Sequence, residues 1–308
     1  RTLPNGKAAG SEAVLDALLR DVHVRQGLVR AALEEAEEDT PLSFVGSAKI
    51  SEGVNALVTR MQEVLKFSKN GFRQTPNVAD GFSGLRAAAE RTGVFVLLMG
   101  NLGSHHTDID ARVFRGFALA DDVAPFVIIN EKDSRAAWSF TLLHELAHIW
   151  LGQSGISGYD GEEEVEKFCD SVAARFLLDP VELEIFDEHV IAGIDDMKAR
   201  IESFATQRNL SRKMVAYNLL RSNRINRSMY KNLSDAFDVD RMAQKQGQRK
   251  GDGAPNYYVV KRHRIGTGLV NVVRRLIAGG ALTTTKAGRV LGVKATAVNR
   301  LINGTRAA

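Results

Sequence analysis

The feature that most constrains this 308-residue chain is a largely apolar stretch that carries two histidines. Residues 140–151 read FTLLHELAHIWL, with His144 and His148 four positions apart. In a helix, side chains four residues apart lie on one face, about one turn from each other. Because polar groups that are buried without partners cost free energy, this stretch predicts a buried helix whose two imidazoles share a partner.

A metal ion is the partner that best fits this spacing. Two imidazole nitrogens one helical turn apart can bind one Zn²⁺ ion at roughly 2.0–2.1 Å. Glu145 follows the first histidine directly, where a glutamate can take a proton from water activated by the metal. The pattern predicts a zinc metalloendopeptidase with His144 and His148 as ligands and Glu145 as catalytic base. The alternative is a pair of core histidines that hydrogen-bond to their neighbours.

A catalytic zinc site needs a third protein ligand, and residues 161–180 predict a second helix that can supply it. Glu166 and Asp170 lie at the edge of its apolar face, one turn apart. We predict Glu166 as the third ligand, which gives a gluzincin-like set, and Asp170 as the acceptor for the non-ligating nitrogen of a zinc histidine. Glu163 is the alternative ligand. Cys169 is a further candidate, although a small buried residue is the favoured interpretation.

The segments before the motif predict the fold. SGLRAAAERTG is typical of a short helix, and VFVLLMG, RVFRGFALADD and APFVIIN are typical of strands. Several helical patterns follow the motif. We expect an α+β class, a mainly helical zincin-like minimal metallopeptidase with a small mixed or antiparallel sheet. RVFRGFALADD is our candidate for an exposed edge strand that pairs with an extended substrate.

These segments together resemble the ImmA/IrrE family of zinc metallopeptidases. The resemblance rests on FTLLHELAHI, on the helix with Glu166 and Asp170 that continues into FLLDP, and on LRAAAERTGVFVLL and VAPFVIINEKDS, and it spans residues 80–225. Cys169 stands where the family usually has Ala. Asp170 stands for the usual Asn, which keeps an acceptor but adds a negative charge. PLSFVGSA and YYVVKRHRIG are similar to segments of longer members associated with XRE-like helix-turn-helix regulators.

The resemblance implies site-specific cleavage of a DNA-binding repressor, encoded nearby, that relieves repression in a stress, DNA-damage or phage-defence response. The alternative function is a DNA-binding regulator or antitoxin that uses an inactive peptidase fold as a partner-binding module. The intact Glu145 favours the enzyme, because a scaffold needs the histidines for metal but not the base.

Basic and acidic residues are distributed unevenly along the chain. Residues 241–308 contain fourteen lysines and arginines and one acid, Asp252, whereas residues 1–240 hold 27 basic and 36 acidic residues. A basic segment that can also fold usually meets an anionic partner, most often nucleic acid, although a solvated basic face is the alternative. The predicted organisation is an N-terminal helical region (1–79), the peptidase with trailing helix-turn-helix-like helices (80–238), a polar linker (239–256) and a small basic α/β or helical domain (257–308).

Two basic segments are candidates for nucleic-acid binding. TKAGRVLGVKATAVNRLI fits a helix-turn-helix, with Gly288 allowing close helix approach and Gly292 making the turn. Its outward residues would be Lys294, Thr296, Asn299 and Arg300, although three-helix packing without DNA gives the same pattern. YYVVKRHR reads as a strand that combines aromatic residues with the basic residues Lys261, Arg262 and Arg264. This combination suits stacking and phosphate contact with single-stranded DNA, and an edge strand with core tyrosines is the alternative. We therefore expect DNA, single-stranded in particular, to activate cleavage.

The remaining composition limits the class of protein. A single cysteine excludes an internal disulfide and favours a reducing compartment, and no apolar run approaches the length of a membrane span. We expect a cytoplasmic protein. Tyr159, His105 and His106 are available to stabilise an oxyanion, but each more readily fits a loop.

Overall fold

The computed structural model describes residues 9–154, 163–187, 193–248 and 256–304. Within these ranges the chain forms thirteen α-helices and three β-strands. The helices are α1 (Ala9–Glu35), α2 (Val54–Leu65), α3 (Lys69–Arg73), α4 (Val78–Arg91), α5 (Arg135–Trp150), α6 (Glu163–Leu177), α7 (Ile194–Gln207), α8 (Arg212–Arg221), α9 (Arg227–Gln248), α10 (Tyr257–Ile265), α11 (Thr267–Ala278), α12 (Thr284–Leu291) and α13 (Ala295–Asn303). The strands are β1 (Phe95–Leu98), β2 (Gly116–Leu119) and β3 (Phe126–Ile129). Among these helices, none has the length and hydropathy that a membrane span requires.

The three strands form one small mixed sheet in the order β1-β3-β2. β1 pairs in parallel with β3, and β2 pairs antiparallel with β3, with Gly116 opposite Ile129. The predicted mainly helical α+β class with a small mixed sheet is therefore confirmed. β2, which lies within the predicted edge segment, has a strand neighbour on one side in this sheet, but all four of its residues are buried rather than exposed as predicted.

The sheet separates two hydrophobic cores, because successive side chains of a strand point to opposite faces. Val96, Val127 and Ile129 face a core built with α2 and α4–α9. Leu97, Ile128 and the other alternate strand residues face a second core, which is built with α1 and α10–α13. The motif helix α5 belongs to the first core.

The second core joins the two ends of the chain. Leu18 and Val22 of α1 are fully buried in the same cluster as Val273 of α11 and Val298 of α13. Helix α1 of the predicted N-terminal region (1–79) and helices α10–α13 of the predicted C-terminal domain (257–308) thus share one core with the sheet, whereas α2 packs in the first core. The predicted boundary at 79/80 falls within α4 and the one at 238/239 within α9.

Two local predictions in the basic region were wrong. Residues 239–248, predicted as linker, continue α9, because Phe237 anchors this helix in the core and Asp240 pairs with Lys198 at 3.0 Å. The rest of the predicted linker, up to 255, lies outside the described residues. YYVVKRHR, predicted as a strand, is helix α10. The Asn256 side chain caps its first turn by accepting from the Tyr258 amide at 2.9 Å, and this tertiary context overrides the β-propensity of Tyr and Val.

Candidate metal centre

Helix α5 is held as a rigid carrier for the motif. Residues 141–150 are all buried. The last carbonyls of the helix, which have no intrahelical donors, accept from a segment near residue 46: Gly46 N donates to Ile149 O at 3.1 Å, and Ala48 N to Trp150 O at 2.9 Å. The Phe44 ring stacks on Trp150 with centroids 4.4 Å apart. These contacts fix the end of α5 that carries His148.

Helix α6 packs along α5 and brings its acidic edge to the two histidines. Glu166 Oε2 lies 3.3 Å from His144 Nε2, and Glu166 Oε1 lies 3.1 Å from His148 Nε2. The two Nε2 atoms are 3.1 Å apart. The structure therefore brings all three predicted ligands together, with their ligand atoms within 4.8 Å of one another.

The donor atoms match the size of a tetrahedral zinc ion. Ligands bound to Zn²⁺ at roughly 2.0–2.1 Å in tetrahedral geometry lie about 3.3–3.4 Å from one another. The observed spacings of 3.1, 3.1 and 3.3 Å are close to this value. Two imidazoles and a carboxylate are also a donor set that zinc prefers. The residues present fit a metal ion.

Asp170 lies behind the first histidine. Its Oδ1 is 3.0 Å from His144 Nδ1, and both residues are 4% exposed. Burial opposes protonation of the imidazole, but the contacts with Asp170 and Glu166 and the charge of Glu145 raise the pKa of His144 to about 9. An acidic group on Nδ1 orients the ring and leaves Nε2 for a metal.

Glu145 completes the cluster and is 1% exposed. Its Oε2 is buried and has no hydrogen-bond partner within the described part of the chain. The three carboxylates of Glu145, Glu166 and Asp170 outnumber the two imidazoles. A divalent cation would compensate this excess of negative charge, since an uncompensated buried charge is costly.

The two alternative ligands lie apart from this cluster. Glu163 is exposed on α6 and pairs with Lys167 at 2.6 Å. Cys169 is fully buried among apolar side chains. Burial, together with the charges of Glu166, Glu145 and Asp170, raises the pKa of the Cys169 thiol and keeps it neutral. The thiol is also not among the ligand atoms that lie within 4.8 Å of one another.

Gly116, at the start of β2, is a site residue that sequence reasoning missed. A Cβ atom at this position would lie 2.6 Å from Thr141 Cγ2 and 2.9 Å from Glu145 Oε1. The strand therefore touches the motif helix beside the predicted base. A glycine inside a strand pattern, which often marks a close approach, was the signal that could have found it.

The other predicted residues are spread more widely. Tyr159 lies outside the described residues, as does the side chain of His105, and His106 is exposed. Arg264 pairs with Glu131 at 2.5 Å, and Arg262 donates to Ile302 O at 3.3 Å.

The remaining predicted nucleic-acid contacts are one partly buried lysine and two exposed residues. Burial and repulsion from Arg25 and Arg264 lower the pKa of Lys261 to about 8. Lys294 and Arg300 are exposed on the α12–α13 pair. Three of the five predicted contacts thus face inward to the fold or to other side chains, Lys294 faces solvent, and Arg300 is exposed with its guanidinium over the Tyr258 ring.

The comparisons with known proteins agree with this geometry. The family model Peptidase_M78, described as an IrrE N-terminal-like domain, matches residues 89–220, which contain the whole cluster. No curated protein and no solved structure matches the chain. The match confirms the predicted resemblance to ImmA/IrrE proteins: residues 89–220 of this chain are similar to the IrrE N-terminal-like domain of the Peptidase_M78 family.

Proposed function

We propose that the protein is a zinc-dependent endopeptidase that cleaves a partner transcriptional repressor. The observation that carries this proposal is the cluster of His144, His148 and Glu166 at zinc-like spacings, with the buried carboxylate of Glu145 beside it. A helix-turn-helix repressor encoded nearby is the substrate that the family resemblance favours, and such a substrate implies action in the cytoplasm.

The side chains divide the work of hydrolysis. His144, His148 and Glu166 would hold the zinc ion, which would supply a Lewis acid able to polarise the scissile carbonyl and to acidify water. Glu145 accepts the proton of the attacking water as the new C–O bond forms. It then delivers that proton to the amine as the peptide C–N bond breaks. Asp170 holds the His144 ring in place through Nδ1.

Strand β2 lies beside the predicted base. Its first residue, Gly116, lies against Glu145. All four residues of the strand are buried, so the predicted main-chain pairing of an extended substrate with this edge is not part of the proposal.

Glu145→Gln tests the assignment. We expect it to slow cleavage of the neighbouring repressor by about 10²–10⁴-fold, since this is the usual contribution of a general base. Glu163→Gln is the matched control, because it makes the same change on the exposed side of α6 and should leave cleavage unchanged. Electrophoresis of the two repressor fragments over time gives both rates.

Equal cleavage by wild type and Glu145→Gln would contradict the enzyme. If neither protein cleaves the repressor but both bind it, the result would favour the alternative function. In that function the peptidase fold is a partner-binding module. DNA enters the proposal as an activator of cleavage. Removing residues 241–308 is a poor test of that part, because α10–α13 belong to the core shared with α1 and the sheet.

A further inference from the structure

We propose that the paired helices α12 and α13 form a docking surface for duplex DNA, with α13 as the helix that enters the major groove. This inference deepens the proposed function by assigning its nucleic-acid partner. Binding itself does not depend on peptidase activity.

The connection between the two helices has the geometry of a tight helix-turn-helix. A Cβ atom on Gly288 would lie 2.8 Å from Val293 O and 3.2 Å from Ala295 N, so only glycine fits where the helices meet. Gly292 ends α12 with φ +63°, a left-handed conformation that favours glycine. Both glycines thus have the roles that the sequence predicts for them.

The helix pair is fixed on a scaffold. Val298 and Leu301 of α13 are buried in the second core. Arg25 of α1 donates to Val290 O of α12 at 3.3 Å. With α11 packed against both α12 and α13, this is the three-helix arrangement in which the first helix of the pair crosses the DNA backbone and the second reads the groove.

The outer side of α13 carries residues that suit a base edge or a phosphate. Thr296, Asn299, Arg300 and Asn303 are exposed and recur at helical spacing, so they form one stripe. Asn pairs with adenine and Arg with guanine in the major groove. Lys294, the residue before the helix, is also exposed and has no ion-pair partner within the described ranges.

Charge favours an anionic partner for this surface. Residues 256–304 contain nine lysines and arginines and neither aspartate nor glutamate. Arg264 and Arg275 are neutralised by Glu131 and Glu38 from other parts of the chain. Five exposed cations of this segment have no acidic partner within the described residues, and four of them lie on or just before the two helices: Lys286, Arg289, Lys294 and Arg300, with Arg274 on α11 as the fifth. Phosphate contacts of such residues drive DNA affinity.

The structure favours duplex over single-stranded DNA. Single-strand binding needs aromatic faces open for stacking along a basic groove. Tyr258 is instead covered by the Arg300 guanidinium, 4.4 Å from the ring centroid, which leaves Tyr257, 59% exposed, as the single open tyrosine of α10 rather than a row of stacking faces. Arg262 and Arg264 of the same helix are engaged with Ile302 O and Glu131.

The test is fluorescence anisotropy of the full chain with a labelled duplex of about 25 base pairs and random sequence, in about 0.1 M salt. Lys294→Ala should weaken binding about eightfold and reduce the salt slope by about 0.9, the loss of one phosphate contact. Arg274→Ala is the matched control. It removes the same charge from the exposed side of α11, and the affinity should stay within about twofold of wild type.

Three results would overturn the inference: no duplex binding, equal losses for Lys294→Ala and Arg274→Ala, or tighter binding of a single strand of the same length. Asn299→Ala should leave random-duplex affinity nearly unchanged, because base contacts carry specificity rather than non-specific affinity. Repeating the titration with Glu145→Gln separates this inference from the proposed function, since that variant should bind DNA like wild type.

Discussion

Two buried clusters of ionisable groups lie on different helices, and they differ in whether their charges are balanced. On α4, Arg86 and Glu90 form an ion pair at 3.1 Å, with both side chains under a tenth exposed. On α5 and α6, Glu145, Glu166 and Asp170 gather around two imidazoles. The first cluster neutralises itself, whereas the second is short of positive charge.

The balanced cluster holds the C-terminal helices on the fold. Arg86 donates to the carbonyls of His263 at 2.5 Å and Arg264 at 3.2 Å, at the end of α10. Glu90 accepts from Thr267 Oγ1 and Gly268 N, both at 2.8 Å, at the start of α11. Each charge has its partners within the chain, so this cluster has a structural role.

The three carboxylates of the unbalanced cluster need more positive charge than its two imidazoles supply. The pKa of His144, raised to about 9, shows that this site attracts a positive charge, with a proton as the simplest one. A metal ion satisfies the same demand with better geometry. Charge balance, more than burial, therefore separates a structural cluster of ionisable groups from a functional one.

Breaking the balanced cluster should have the largest effect on stability. Glu90→Ala leaves Arg86 buried without its partner, and we expect the free energy of unfolding to fall by about 3–5 kcal/mol. Urea titration measures the loss. Glu63→Ala, on the exposed face of α2, should stay within about 0.5 kcal/mol of wild type. A similar small loss for Glu90→Ala would mean that the pair does not hold the C-terminal helices.

A change beside the unbalanced cluster should affect activity more than zinc content. Gly116→Ala places a Cβ against Thr141 and Glu145. We expect a loss of about 1–3 kcal/mol in stability and a fall of about 10–100-fold in cleavage as the base is displaced, with zinc retained. Gly27→Ala, which meets no atom within 4 Å, is the control. If Gly116→Ala cleaves the repressor at the wild-type rate, β2 does not contribute to the site.

The smallest expected effect concerns a third cluster, where one acid meets several cations. Burial opposes the charge of Glu182, but contacts with Arg73, Asp179 N, Arg208 and Lys69 lower its pKa to about 2. Because the folded pKa lies below the usual 4.5, the stabilisation is complete above about pH 4.5 and is lost as the pH falls toward 2.

Glu182→Gln should therefore lower the Tm by ~2–4 °C at about pH 5.5, and this difference should shrink by about pH 3. Thermal unfolding of both proteins at the two pH values measures it. Glu184→Gln, on the exposed side of the same short 3₁₀ helix, should show no such change. A difference that stays constant with pH would rule out the charge of Glu182 as its source.

The sequence was sufficient to predict which side chains meet at the candidate metal centre. His144, His148, Glu166 and Asp170 follow from helical periodicity on two buried helices, because local spacing decides which side chains share a face. The same holds for the turn at Gly288 and Gly292, where close approach and a left-handed backbone each require glycine.

Other features depend on contacts between residues that are far apart in the sequence, and the local spacing of residues does not predict such contacts. The joining of α1 with α10–α13 across the sheet is a long-range arrangement of separate amphipathic helices. Helix α10 was misread because its Tyr and Val residues favour strands, whereas its cap and its packing decide the structure. Gly116 is important only through its neighbours on α5, which are distant in sequence.

The central claim is that the unbalanced cluster is a zinc centre in which Glu145 is not a ligand. Metal analysis of the purified full chain after dialysis against trace zinc tests it most directly. We predict about one zinc ion per chain for wild type and Glu145→Gln, and almost none for His148→Ala. A wild type without zinc, or a Glu145→Gln variant that loses it, would contradict the account.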